Sequence, residues 1–174
     1  MSASSRTPRP PASRAFRSVR WEPRIYPGTL CQASRVRAHV RTDLKGFPQE
    51  AVDTVELCCS ELFANAVAYT ASGAEGGEVT RRLSLHRPDT LRLQVTDSGW
   101  TPTRPAVPTD RTARDRAEAE GQRGLLLIEA LALQWGYFPV LPHASFNLGL
   151  CVWADLPVDP GGVPRGLEAF IFTA

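Results

Sequence analysis

Lysine is almost missing from this chain: of 20 basic residues in 174, only Lys45 is a lysine and the rest are arginine. So skewed a choice fits a GC-rich coding sequence rather than a mechanism. Histidine is scarce as well, and His39, His86 and His143 lie far apart. The four cysteines, Cys31, Cys58, Cys59 and Cys151, show neither a paired metal-ligand spacing nor a disulfide framework. Cys58 and Cys59 adjoin inside an apolar, helix-like segment, which suits buried free thiols in a reducing compartment. No apolar run approaches the length that spans a bilayer. The amino-terminal stretch has arginine and proline but no apolar centre, unlike a secretory signal. A cytoplasmic location without a membrane partner is therefore expected. The P-loop run Gly-x-x-x-x-Gly-Lys-Ser/Thr is absent, which excludes that route to a nucleotide.

What the chain does have is apolar material, 43% of its residues, enough for the core of one domain. Its charge is unevenly spread. Residues 1–24 hold six arginines against Glu22, so the net +2 divides into +5 there and −3 beyond. The Ser-, Pro- and Arg-rich stretch 1–20 is expected to be a solvated, disordered tail. Most of its arginines have no aromatic residue among them, so nucleic acid is not the expected partner. A folded domain is expected over 21–158, and a Gly/Pro-rich tail over 159–174.

Within the domain, 21–27 reads as a short edge strand, where proline is tolerated. Thr29 is placed to cap a helix running to about Lys45, with Gly46 as its stop. A long helix is predicted over about 48–71. It opens on Pro48, stops near Gly73, and carries a stripe of Val52, Val55, Cys59, Leu62, Phe63, Ala66 and Val67. Residues 78–86 and 90–96 alternate as strands around a Pro88-Asp89 turn, with one apolar face each. A helix over about 123–135 and a strand over about 147–156 follow, with a further short strand expected at 137–140. A one-sided sheet in this order predicts an α+β fold, an α/β two-layer sandwich. Residues 97–122 break the periodicity, and a connection that long is either functional or disordered.

Three places suit chemistry. Glu61 and Asn65, four residues apart on the long helix, share a face where a carboxylate and an amide can hold a cation or orient a water. Taken alone, most such pairs are merely solvated. Asp97 ends a strand beside Ser98 and Gly99, fitted either to accept from an exocyclic amine or to close an Asx turn. Gly121-Gln122-Arg123-Gly124 opens a helix, where free N–H groups and a guanidinium attract phosphate, or where the glycines simply make a flexible entry.

Taken in order along this pattern of elements, these residues resemble the GHKL ATPase superfamily, and within it the anti-sigma regulatory factor, serine/threonine-kinase branch of actinobacteria. Ser60-Glu61-Leu62-Phe63-Ala64-Asn65-Ala66-Val67 is similar to the N-box, and Thr96-Asp97-Ser98-Gly99 to the first glycine box. Residues 123–132 with Gln134-Trp135-Gly136 are similar to the second glycine box, and residues 149–156 to the closing strand. The resemblance covers about 22–157. It implies a Bergerat-type ATP-binding fold, a mixed sheet with helices packed on one face. It also implies ATP and Mg²⁺ as cofactors. In that picture Glu61 is the general base and Asn65 the Mg²⁺ ligand. Asp97 accepts from the adenine amine beside Gly99. Gly121, Arg123 and Gly124 line the phosphates, residues 100–122 form the lid, and Cys151 stands on the closing strand by the adenine.

The implied activity is phosphorylation of a serine on an antagonist protein, sequestration of a sigma factor, or both, with a homodimer in keeping with the family. The rival is a module that binds ATP and a partner without catalysis. Four departures bear on that choice. Gln122 stands where a glycine is usual. Ala68 and Tyr69 replace a basic residue and a histidine, and Leu150-Cys151 replaces Lys-Thr.

Overall fold

The computed structural model describes residues 16, 18–99, 105, 120–140 and 148–167, with backbone alone for 120–123. Six strands form one sheet: β1 (Val19–Arg20), β2 (Arg24–Pro27), β3 (Glu78–Arg87), β4 (Thr90–Thr96), β5 (Gln134–Pro139) and β6 (Leu150–Pro157). Three helices join them: α1 (Ala33–Asp43), α2 (Gln49–Tyr69) and α3 (Glu120–Leu131). The spatial order is β1-β3-β4-β6-β5, with β2 also on the β3 edge. The expected α+β two-layer sandwich is the fold found.

Each described pairing is antiparallel. β4 and β5 both run against β6, which lies between them, and so point the same way. A tight turn cannot join two strands of one direction, and the chain passes from β4 to β5 through α3. On the far edge, β1 and β2 act as one interrupted strand. Val19 and Arg20 pair with Leu85 and Ser84, whereas Arg24 pairs with Arg81, a register one residue longer. Residues 21–23, with Pro23, absorb that extra residue as a bulge.

One face of the sheet is covered. Val79, Leu83 and Leu85 of β3, Leu91, Leu93 and Val95 of β4, and Ala154 and Leu156 of β6 are buried on it. Against them lies α2, 21 residues long, with Val52, Val55, Cys59, Leu62, Phe63 and Ala66 all buried. These positions recur every three or four residues, so a single stripe meets the sheet. α2 also packs on both α1 and α3. Its ends differ slightly from the periodicity. Pro48 stands just outside the first turn, and the helix stops at Tyr69 because Thr70 turns extended and its hydroxyl donates to Ala66 O at 2.6 Å. Among the described residues no helix is long and apolar enough to cross a membrane.

Two expectations are corrected. Thr29 does not cap α1 with its side chain; a 3-10 turn over Leu30–Gln32 precedes the helix, and the Thr29 hydroxyl lies 3.1 Å from Cys31 Sγ. The helix expected over about 123–135 starts earlier, at Glu120, and ends at Leu131. Gln134, Trp135 and Gly136 belong to β5, where pairing with β6 outweighs helical periodicity, and the Gln134 amide donates to Asp155 Oδ2 at 2.8 Å. Leu125 and Ile128 are buried in the core, with Leu127 and Leu131 packed against it.

A charged knot ties α1 to the sheet edge. Arg81 sits on the covered face of β3, only 1% exposed, and pairs with Asp43 at the end of α1. Arg24 of β2 pairs with the same carboxylate, its Nε donating at 3.1 Å. Burial pushes the Asp43 carboxyl up, but the two guanidiniums outweigh it and hold it below the ordinary value. Such an acid stabilises the fold at pH above its unfolded value, and that contribution disappears as pH falls through the lowered one. Asp43→Ala, which strands the Arg81 charge in the core, is expected to cost about 3–5 kcal/mol near neutral pH. Urea denaturation measures it, and the gap between wild type and variant should narrow in acid.

Candidate functional site

Five segments converge at one end of the sandwich: the last turns of α2, the loop after it, the end of β4, the start of β6 and the first turns of α3. The apolar stripe dictates where Glu61 and Asn65 go. With Leu62, Phe63 and Ala66 turned into the core, the two polar residues lie half-buried along the stripe's flank. That flank meets α3 at Gly124. A Cβ on Gly124 would lie 2.6 Å from Glu61 Oε2 and 3.4 Å from Asn65 Nδ2. The absence of a side chain there brings the α3 backbone against both polar groups, where any larger residue would displace the carboxylate.

Asp97 continues the inward row of Leu93 and Val95 past the end of β4 and is 6% exposed. Its backbone N–H donates to Leu150 O at 3.1 Å, and its Oδ1 accepts from Leu150 N at 2.7 Å. Among the described residues Oδ2 has no hydrogen-bond partner. Burial lifts the carboxyl to about 6, against the pull of the Leu150 amide. A buried acceptor with one oxygen uncommitted is suited to a donor that arrives from outside. Gly99, next but one along, presses close to Ala71 just past α2; a Cβ on it would lie 2.9 Å from that of Ala71. The Asp97 loop is thereby packed beside the end of the helix that carries Asn65.

Glu61 and Asn65 are thus in contact with Gly124, which lies 63 and 59 residues further along the chain, with Asp97 and Gly99 beyond the end of the same helix. Gly121 and Arg123 lie in the first turn of α3. Cys151 lies on the other face of the sheet. It pairs with Thr96 and stands on the uncovered face of the sheet with Gln94, whose amide reaches its sulfur at 3.9 Å. Apart from Pro105, residues 100–119, the bulk of the expected lid, lie outside the described residues, and 120–122 are helical.

Gly149, expected only to open the closing strand, and Ser72, with no role expected, also belong to this region. Gly149 adopts φ 139°, and a Cβ there would lie 1.9 Å from Asp97 O. Only glycine lets β6 begin so near the Asp97 loop. A glycine directly before an alternating strand was the available signal. Ser72, fully buried, had none, because its role depends on contacts distant in sequence.

The residues fit the group the resemblance implies. Oδ2 of Asp97 matches an amine on a purine, and the side chains of Glu61 and Asn65 offer hard oxygens for a magnesium ion. No cluster of three or more His, Cys, Asp or Glu side chains among the described residues is fitted to hold a metal by itself. Such an ion would therefore lean on phosphate oxygens and water as well as on Asn65.

A covered antiparallel sheet, a polar pair on the helix beneath it and a buried strand-end carboxylate define a nucleotide-site architecture that needs no P-loop. The family model described as the histidine kinase-like ATPase domain matches residues 26–137, more than half of the chain, and the protein belongs to that family. An ATP site comes with that membership. No curated protein matches the sequence.

If Asp97 takes the adenine amine, its ionised form is the better acceptor, and ATP affinity should fall as pH drops through about 6. Asp97→Asn presents a donor where an acceptor is needed. It should bind ATP about ten- to a hundred-fold more weakly at neutral pH. Calorimetric titration across pH compares the two, and the variant should show only the titration of the nucleotide's own phosphates.

Proposed function

We propose that the protein is a regulatory protein kinase of the anti-sigma-factor type, which transfers the γ-phosphoryl group of ATP to a serine on an antagonist protein. The contact of Glu61 and Asn65 with the glycine at the start of α3 carries this reading. It puts a carboxylate, rather than a further cation, against the backbone proposed to receive phosphate. A carboxylate there repels phosphate and adds nothing to ground-state binding. Its useful work is to accept a proton.

In this reading Asp97 holds the adenine amine through Oδ2, and Gly124 lets the phosphates approach the α3 backbone. Asn65 holds the magnesium ion, which supplies charge neutralisation on the phosphate oxygens. The substrate serine is oriented by Glu61. As its oxygen bonds to the γ-phosphorus and the bond to the ADP oxygen breaks, Glu61 takes the hydroxyl proton. Base catalysis of this kind contributes about 10²–10⁴ in rate. The sigma factor held in the same regulatory circuit, a homodimeric state and a cytoplasmic site of action belong to the proposal.

Glu61→Ala should leave Mg-ATP affinity within a few-fold of wild type while transfer falls by about 10²-fold or more. Label transfer from γ-labelled ATP to a candidate antagonist, run beside nucleotide titration, measures both. Undiminished transfer in the variant removes Glu61 as the base. Tight ATP binding by wild type with no transfer to any antagonist favours the binding-only module instead.

A further inference from the structure

Between the end of α2 and the Asp97 loop runs a relay of hydrogen bonds. The Thr70 hydroxyl donates to Ala66 O at 2.6 Å, next to Asn65, and accepts from Ser72 N at 3.1 Å. Ser72 Oγ accepts from Ser98 N at 2.8 Å, next to Asp97, and donates to Glu78 O at 2.8 Å. The Ser98 hydroxyl donates to the same Glu78 carbonyl at 2.8 Å. Ser72 is fully buried, so neither of its bonds is exchanged with water.

We infer that Ser72 is a positioning residue for nucleotide recognition, fixing the span between the Asp97 carboxylate and Asn65. The inference rests on the ATP reading above. Among the described residues Asp97 is otherwise hydrogen-bonded to the start of β6, through Leu150, and Asn65 lies on α2 against Gly124 of α3. The covalent path between them runs through the whole β3–β4 hairpin. The relay is the short path, and Ser72 joins its two halves: its backbone N–H donates to Thr70, and its hydroxyl accepts from Ser98 N. An adenine and a triphosphate are rigidly spaced along one ligand. A span held by buried hydrogen bonds therefore favours the ligand that satisfies both ends together. Guanine offers a carbonyl oxygen where adenine offers its amine, which an ionised Asp97 repels. The discrimination between the two bases depends on where that carboxylate is held.

The test is the ratio of GTP to ATP dissociation constants with Mg²⁺, measured by titration well below the thermal midpoint of each protein. Ser72→Ala should lower this ratio about ten-fold, the scale of one hydrogen bond to a charged group. Ser72→Cys, of similar size and weakly hydrogen bonding, should fall between. A purely structural role would lower the folded fraction, weaken both nucleotides alike and leave the ratio unmoved. Thr70→Val, isosteric and only half-buried, cuts the relay one step earlier and should shift the ratio the same way. It keeps the test open should Ser72→Ala not fold. A wild-type ratio retained in these variants overturns the inference and leaves the ATP reading standing. A wild type with no preference for ATP removes both.

Discussion

The seating of α2 on the sheet is the constraint from which the rest follows. A helix has one angular setting once its apolar stripe is buried. Val55, Cys59, Leu62, Phe63 and Ala66 claim the side that meets β4 and β6. Glu61 and Asn65 are then left on the flank at α3, with no freedom to point elsewhere. The same side chains that stabilise the fold thus aim the polar pair. Cys58 and Cys59 take part only as core volume. Burial, and in the case of Cys58 the charge of nearby Glu61, lifts both thiols to about 12, which leaves them protonated and unreactive.

The sheet contributes its two faces unequally. The covered face supplies the core and delivers Asp97 to the site. The other face carries Arg92, which grips Asp155 through Nε and Nη2 at 2.6 and 2.8 Å and lies 4.6 Å from the centre of the Trp153 ring. Asp155 is fully buried there although it stands on the uncovered side. That explains why the closing strand tolerates an acid between Ala154 and Leu156. The face of the sheet also sets the surroundings of Cys151: it lies beside Gln94, and burial, to which the charge of Asp97 adds, raises its thiol.

Charge is handled differently at the two ends of the fold. Asp43 is flanked by two guanidiniums and held ionised, so it acts as a fastener between α1 and the edge of the sheet. Among the described residues Asp97 has no cation beside it, only an amide, and is held closer to neutrality. In the first, both carboxylate oxygens accept from guanidiniums of the fold itself. The second leaves an acceptor oxygen for a ligand, the usual mark of a functional carboxylate.

The order of elements, the stripe on α2, the alternation of β3 and β4 and the polar residues at 61, 65 and 97 were all legible in the sequence. Each is a local pattern, written in periods of 3.6 and 2. The boundary between α3 and β5 was not legible, because residues 132–136 fit a helix until pairing with β6 claims them. The buried pair of Asp43 and Arg81 had no local sign either, since the residues are 38 apart and an arginine within an alternating strand does not announce which face it takes. Gly124 against Glu61, Gly149 against Asp97 and the Ser72 relay belong to the same class. Local periodicity determined which residues were available to the site. Long-range packing decided which of them meet, because contact between distant segments depends on the whole fold having closed around α2.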